Sequence, residues 1–229
     1  MSGHPLDKPI WTALQTRQAH FDPKGKLARR FPLDVSPLAA AQNRTPAAIA
    51  ALTDLIPSGD DISLLELAPP GPPAGVIATT APVFQMTATS LSRGRQDSKL
   101  EPLGDTDAAE MLALALLTRP GPFRTRTHML GRFLGIRDGS RLVAMAGERL
   151  QTDGFIEISA VCTHPDYRGR GYGAALMRAV GERILAEGAT PFLHTYASNT
   201  GAIGLYRVLG FDVRREVVHA VWKRDASVI

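Results

Sequence analysis

The chain has 229 residues, with 26 lysines plus arginines against 22 aspartates plus glutamates for a formal net charge of +4, and 44% of its side chains are hydrophobic. That balance excludes disorder throughout, and the length accommodates one large domain or two small ones. No run of about 18 apolar residues occurs, the first thirty residues lack the apolar middle of an export signal, and the lone cysteine, Cys162, can supply neither an internal disulfide nor a zinc cluster, so we expect a cytoplasmic protein with no membrane partner and no metal.

Twelve of the 17 prolines fall in residues 1–96, including Pro69, Pro70, Pro72 and Pro73 around Gly71, and five follow. This composition boundary divides the chain into an N-terminal α/β region, 1–96, and a second domain, 97–229. Before the boundary the pattern predicts a helix over 46–56, an apolar strand over 62–67 and one or two strands over 76–89. The polar stretch 91–99 reads as a linker. After it come a short strand over 100–103 and a helix over 107–118, N-capped by Asp105 or Thr106 and stopped by Pro120, Gly121 and Pro122. Two strand-like runs, 132–137 and 141–150, flank Asp138-Gly139, a hairpin signal, and a turn at 152–154 leads into a third, 155–163; together they predict an antiparallel meander. Tyr172, Ala175, Leu176, Ala179 and Val180 then recur at helical spacing, with Gly188 placed to end the helix. A strand over 192–197, a helix over 200–209 closed by Gly210 and a strand over 213–222 complete the order. The helical crossover predicts that strands 155–163 and 192–197 run parallel.

The cations, 21 arginines and five lysines, are scattered among acids without a basic block, which argues against nucleic acid as a partner and suits an anionic small ligand as well. Arg168, Gly169, Arg170, Gly171, Tyr172 and Gly173 lie between a strand and a helix. Three glycines in five positions let the backbone approach a ligand closely, and N–H groups at a helix N-terminus can cradle a phosphate; a simple turn is the alternative. A P-loop would need a Gly-Lys-Ser/Thr ending. A dinucleotide turn would put its first glycine directly after the strand, where Thr163 to Arg168 intervene here.

Arg168-x-x-Gly171-x-Gly173, preceded by the strand at Glu157 to His164 and followed by a helix, resembles the acyl-CoA motif (Gln/Arg-x-x-Gly-x-Gly/Ala) of the GNAT acyltransferase superfamily. Asn199 and the run Gly204 to Phe211 resemble its second signature, and the pattern around Arg132 to Arg170 is similar to the glycine-N-acyltransferase-like branch. The resemblance covers residues 97–229. It implies the GNAT acyl-CoA acyltransferase fold, an α/β fold with a mixed, mostly antiparallel central sheet and flanking helices, with 1–96 as an N-terminal extension or a degenerate second lobe. It also implies an N-acetyltransferase, monomer or homodimer, that uses acetyl-CoA as co-substrate and acetylates a primary amine by direct ternary-complex transfer. A longer-chain acyl-CoA:amino acid N-acyltransferase and a non-catalytic acyl-CoA-binding module are the alternatives.

The same resemblance implies residue roles. The pantetheine arm would lie along Val161, Cys162 and Thr163, with the Val161 amide donating to the carbonyl oxygen. The pyrophosphate would sit on the amides of Gly169, Arg170, Gly171, Tyr172, Gly173 and Ala174, beside Arg168 and Arg170. Tyr206 falls where many members carry the tyrosine that protonates the departing thiolate; read blandly, it is a core aromatic. Asn199 matches a position that bonds the pantetheine arm and can also cap its helix. Glu157, in an apolar strand, is the preferred base, at a spacing from Arg168 similar to that in the founding histone acetyltransferase. Burial would raise its pKa, and a salt bridge to arginine is the alternative. Glu148 on the neighbouring strand is second, with water or His128 behind it. Two glutamates near the cleft would favour a cationic amine. Strand alternation turns Cys162 away from the cofactor face, which disfavours a ping-pong mechanism. His128, His164, His194 and His219 lack metal-binding spacing and read as satisfied surface or core residues.

Overall fold

The computed structural model describes residues 3–94 and 99–225, so residues 95–98 of the expected linker lie outside the described residues. The N-terminal region supplies α1 (Pro9–Gln15), a small sheet of β1 (Ala28–Arg30) and β2 (Ala39–Ala41), α2 (Pro46–Asp54), β3 (Asp61–Glu66) and β4 (Val76–Thr87). Then come β5 (Glu101–Leu103), α3 (Ala108–Thr118), β6 (Phe133–Asp138), β7 (Arg141–Thr152), β8 (Phe155–Thr163), α4 (Tyr172–Ala186), β9 (Thr190–Tyr196), α5 (Thr200–Leu209) and β10 (Asp212–Arg224). Local chemistry accounts for most ends. Pro46 opens α2 while the Thr45 hydroxyl accepts from the Ala48 N–H at 3.3 Å, and Gly210, at φ 103°, closes α5. The start of α3 differs from the expected cap at Asp105 or Thr106. Those residues form a 3₁₀ turn, and the Asp107 carboxylate accepts from the Gly104 N–H at 2.9 Å.

β3 to β10 form one eight-stranded sheet in the order β3-β10-β4-β9-β8-β7-β6-β5. Strands β6, β7 and β8 make the expected antiparallel meander, and β8 and β9 are the parallel pair. Strand β4 lies between β9 and β10, bonded to both, so the composition boundary near residue 96 falls within one sheet.

Alternation along the strands divides the core. Ala144, Ile156, Ile158 and Leu193 pack beneath Leu176, Met177, Val180 and Ile184 of α4. On the opposite face Phe192 and Leu150 meet Ile10 and Leu14 of α1, while Met145 and Cys162 meet Met111, Leu114 and Ala115 of α3. α2 adds Ala48 and Leu52 against Ile62, Leu64 and Trp222. Each fully buried Leu, Ile or Met contributes about 1.5–3 kcal/mol relative to exposure.

One departure from regularity makes the site. The β8–β9 pairing runs only from Phe155↔Thr190 to Glu157↔Phe192, after which the strands part. Just beyond, the β7–β8 register shifts between Met145 and Gly147, and Ala160 takes a left-handed backbone at φ 53°. This bulge bends β8 away from its neighbour.

Candidate active site

The parting of β8 from β9 opens a cleft of about 640 Å³. One wall is Ser159, Val161, Cys162 and Thr163 of β8, and the other is His194, Thr195 and Tyr196 of β9. Gly173 of α4 and Asn199, Ala202, Leu205 and Tyr206 of α5 close one end; Arg119 to Pro122 form the rim, and Leu38, Leu65, Val83, Arg149 and His219 complete the lining. An edge of β8 facing such an opening offers main-chain groups to an extended ligand as an added strand would.

The Gly-rich segment sits at the start of α4. Gly171, at φ 78°, is the N-cap of this 15-residue helix and supplies no capping side chain, so the first-turn N–H groups are open to a ligand. Gly169 takes φ 77°, and the space a Cβ would occupy at Gly169 and at Gly171 is empty out to 4 Å. At Gly173 a Cβ would meet Val161 Cγ1 at 3.8 Å, so β8 and the first turn of α4 approach closely. Arg168 and Arg170 are exposed beside the loop, with the Arg170 guanidinium 4.7 Å from the Tyr167 ring centroid. An uncapped long helix, a glycine loop with free space and two exposed arginines fit a pyrophosphate.

Tyr206 lines the cleft half-buried, and burial raises its hydroxyl above the usual tyrosine range, so it carries its proton at neutral pH. Asn199 lines the cleft and its Oδ1 accepts from the Ala202 N–H at 3.3 Å, the helix cap expected of it. Cys162 is 7% exposed among the α3 contacts, and burial pushes its thiol up to about 11. It is a packed wall residue whose burial favours the protonated thiol.

The glutamates depart from expectation. Glu157 is fully buried, as its apolar strand implies, yet its Oε2 takes the Arg149 Nε–H at 2.8 Å and its Oε1 lies 2.6 Å from both Arg149 Nη2 and His194 Nδ1. Burial raises this carboxyl, but Arg149 and His194 together outweigh burial and hold it at about 2. The raised pKa expected of a base is therefore reversed, and the salt bridge is what the fold builds. Glu148, 2% exposed, is held by Arg132 Nη2 at 2.9 Å, Arg183 Nη2 at 3.1 Å and the Arg132 N–H at 3.2 Å. Neither glutamate lines the cleft, and neither does His128, which bonds Asp105 at 2.9 Å. The expectation of a cationic amine loses the carboxylates on which it rested.

The polar network around His194, Arg149, Tyr196 and His219 of the cleft lining was missed in the sequence. Gln85 donates from Nε2 to the Leu6 carbonyl at 2.9 Å and accepts at Oε1 from Arg214 at 2.7 Å, so its Nε2 also donates to His194 Nε2 at 3.0 Å. That network assigns the His194 proton to Nδ1, donating to Glu157. His219 Nδ1 lies 3.1 Å from the Tyr196 hydroxyl, and burial, then Arg149 and His194, pull its pKa down to about 4, so the ring is neutral. The i, i+2 spacing of His194 and Tyr196 was a signal that both share a strand face. His219 and Arg149 reach the same lining from β10 and β7, a placement that only the sheet order reveals.

The FR47-like protein family model matches residues 133–222. Among solved structures, a GNAT-family protein from Novosphingobium aromaticivorans is 41% identical and superposes with a TM-score of 0.91, covering 98% of this chain and 100% of that one. The N-alpha-acetyltransferase RimI of Mycobacterium tuberculosis is 37% identical over 83 residues, 35% of this chain and 51% of that protein. The mycothiol acetyltransferase of Corynebacterium aurimucosum is 38% identical over 75 residues, 32% of this chain and 24% of that protein. The match thus spans about half or less of the length of these two curated relatives.

Proposed function

This chain belongs to the GNAT family, and from that premise we propose that it is an N-acetyltransferase that moves an acetyl group from acetyl-CoA to a primary amine by direct transfer in a ternary complex. The observation that carries this reading is the parting of β8 from β9 beside the uncapped N-terminus of α4, with Tyr206 and Asn199 in the lining of the cleft. Acetyl-CoA supplies the activated thioester. The amides of Gly169 to Ala174, with Arg168 and Arg170, hold its pyrophosphate; the β8 edge at Val161 and Thr163 bonds the pantetheine arm; Asn199 steadies that arm at the turn into α5. Tyr206 donates the proton that the departing thiolate needs. Glu157 is a positioning residue that fixes Arg149 and His194 and takes no proton from the amine. The neutral ring of His219 lines the cleft, and its depressed pKa makes it a weak base, so the amine's proton leaves to water.

Thermal unfolding tests the reading. Acetyl-CoA at 100 times its Kd should add about 2.7 kcal/mol and raise the midpoint by several degrees, with NADH and ATP inert. Tyr206→Phe should keep that shift while kcat falls at least tenfold; an unchanged kcat would remove this tyrosine from the reaction. A shift with a longer acyl-CoA alone would move the reading to longer-chain transfer.

A further inference from the structure

Resting on that reading, we propose that the acceptor is a small amine that carries an anionic group, received by Arg149 inside the cleft and by Arg119 at its rim. Among the described residues that line the cleft, these two arginines are the permanently charged side chains, and no aspartate or glutamate is present. An ammonium group entering alone would meet no counter-charge. It would also have to shed water beside the Arg149 guanidinium, where burial first and that cation second keep the His219 ring unprotonated.

An anionic group meets the opposite situation. Glu157 grips Arg149 through Nε and Nη2, and among the described residues no hydrogen bond engages Nη1. The side chain is 13% exposed and forms part of the cleft lining, so a fixed donor is presented there without further ordering. Arg119 takes a left-handed backbone, φ 51°, between the last turn of α3 and Pro120, and lines the cleft. It is exposed, and among the described residues its side chain has no ion-pair partner. The cleft must also receive the thioester end of the cofactor, so its volume of about 640 Å³ leaves room for a small acceptor. The arrangement anchors the amine by its acid while favouring the free base at nitrogen, the form that attacks a thioester.

The test is calorimetric titration of the CoA-saturated protein with matched pairs: alanine against alaninamide for a carboxylate, O-phosphoethanolamine against ethanolamine for a phosphate, and spermidine as the cationic control. At least one acidic member should bind ten times tighter than its neutral partner. Arg119→Ala, an exposed change that leaves the core intact, should cut that ratio to threefold or less. Arg149→Lys, which keeps a cation beside Glu157, should do the same through loss of the fork. Equal binding within both pairs, tighter binding of spermidine, or no binding by either acidic member would overturn the inference. Acetyl-CoA binding is read in the same protein: if it fails, the acetyltransferase reading falls as well, and if it holds while the pairs are equal, the acceptor class alone is wrong.

Discussion

Glu157 sits in an apolar strand with no exposed surface, where burial taken alone would raise its carboxyl, and the Arg149 fork with the His194 ring reverses the sign to about 2. Burial of that residue was legible from its neighbours Ile156 and Ile158. Its partners were not, because Arg149 lies across a β7–β8 register irregularity between Glu148 and Gln151, and His194 arrives from a strand more than thirty residues on. The charge count at this residue predicts the phenotype of Glu157→Gln. The substitution keeps the shape and leaves Arg149 buried without its counter-charge, so stability should fall by about 3–5 kcal/mol in urea unfolding. A base would behave otherwise, losing turnover with stability intact. The pH dependence has a definite sign as well. The folded carboxyl is depressed from 4.5 to about 2, so its contribution is full above pH 4.5 and is lost as pH falls through about 2. Glu157→Gln should flatten the wild-type loss of stability in that window.

At the scale of the element, the start of α4 was the most legible part of the site. Its glycines answer a demand of backbone geometry and, on the proposed function, one of ligand approach, and both are written in Arg168-x-x-Gly171-x-Gly173. The opening between β8 and β9 was not legible. The crossover announces a parallel pair, but the parting after Glu157 and Phe192 accompanies a bulge at Ala160, a residue type with no preference for its left-handed backbone. The two demands on a glycine can be separated by experiment. Gly171→Ala forces a Cβ onto φ 78° and into the space where the phosphate would lie; Gly139→Ala forces one onto φ 57° in the β6–β7 turn, where a Cβ also meets nothing within 4 Å. Each should cost about 1–2 kcal/mol of stability. Gly171→Ala alone should also weaken acetyl-CoA binding about tenfold in titration calorimetry, and equal loss in both variants would remove the α4 N-terminus from cofactor binding.

At the scale of the whole molecule, proline content marked a boundary that the sheet does not respect. Strand β4 carries Pro82, which argues against a central strand when read alone. Its position resolves the conflict, because β9 pairs with β4 only over Val83 to Thr87, and Pro82 sits where β9 runs out. The Pro82 carbonyl still accepts from the Ala197 N–H at 3.1 Å, and from Val76 to Ala81 the strand pairs on one side only, with β10. Both strands that flank β4 therefore depend on residues N-terminal to position 96: β10 bonds β3 and β4, and β9 bonds β4 along its outer edge. Removing residues 1–96 would strip β10 of both partners, uncover Trp222 and Ala220, which α2 and β3 help to bury, and take α1 off Leu150 and Phe192. Unpaired strand groups and uncovered apolar surface each cost more than the few kcal/mol by which a domain is stable. A fragment of residues 97–229 should accordingly show no cooperative thermal transition and no stabilisation by acetyl-CoA, while the full chain melts in a single step that acetyl-CoA raises. A fragment that melts cooperatively and responds to acetyl-CoA would mean that the C-terminal strands re-pair without β4, and that the N-terminal residues are an appendage to the fold, not part of its sheet.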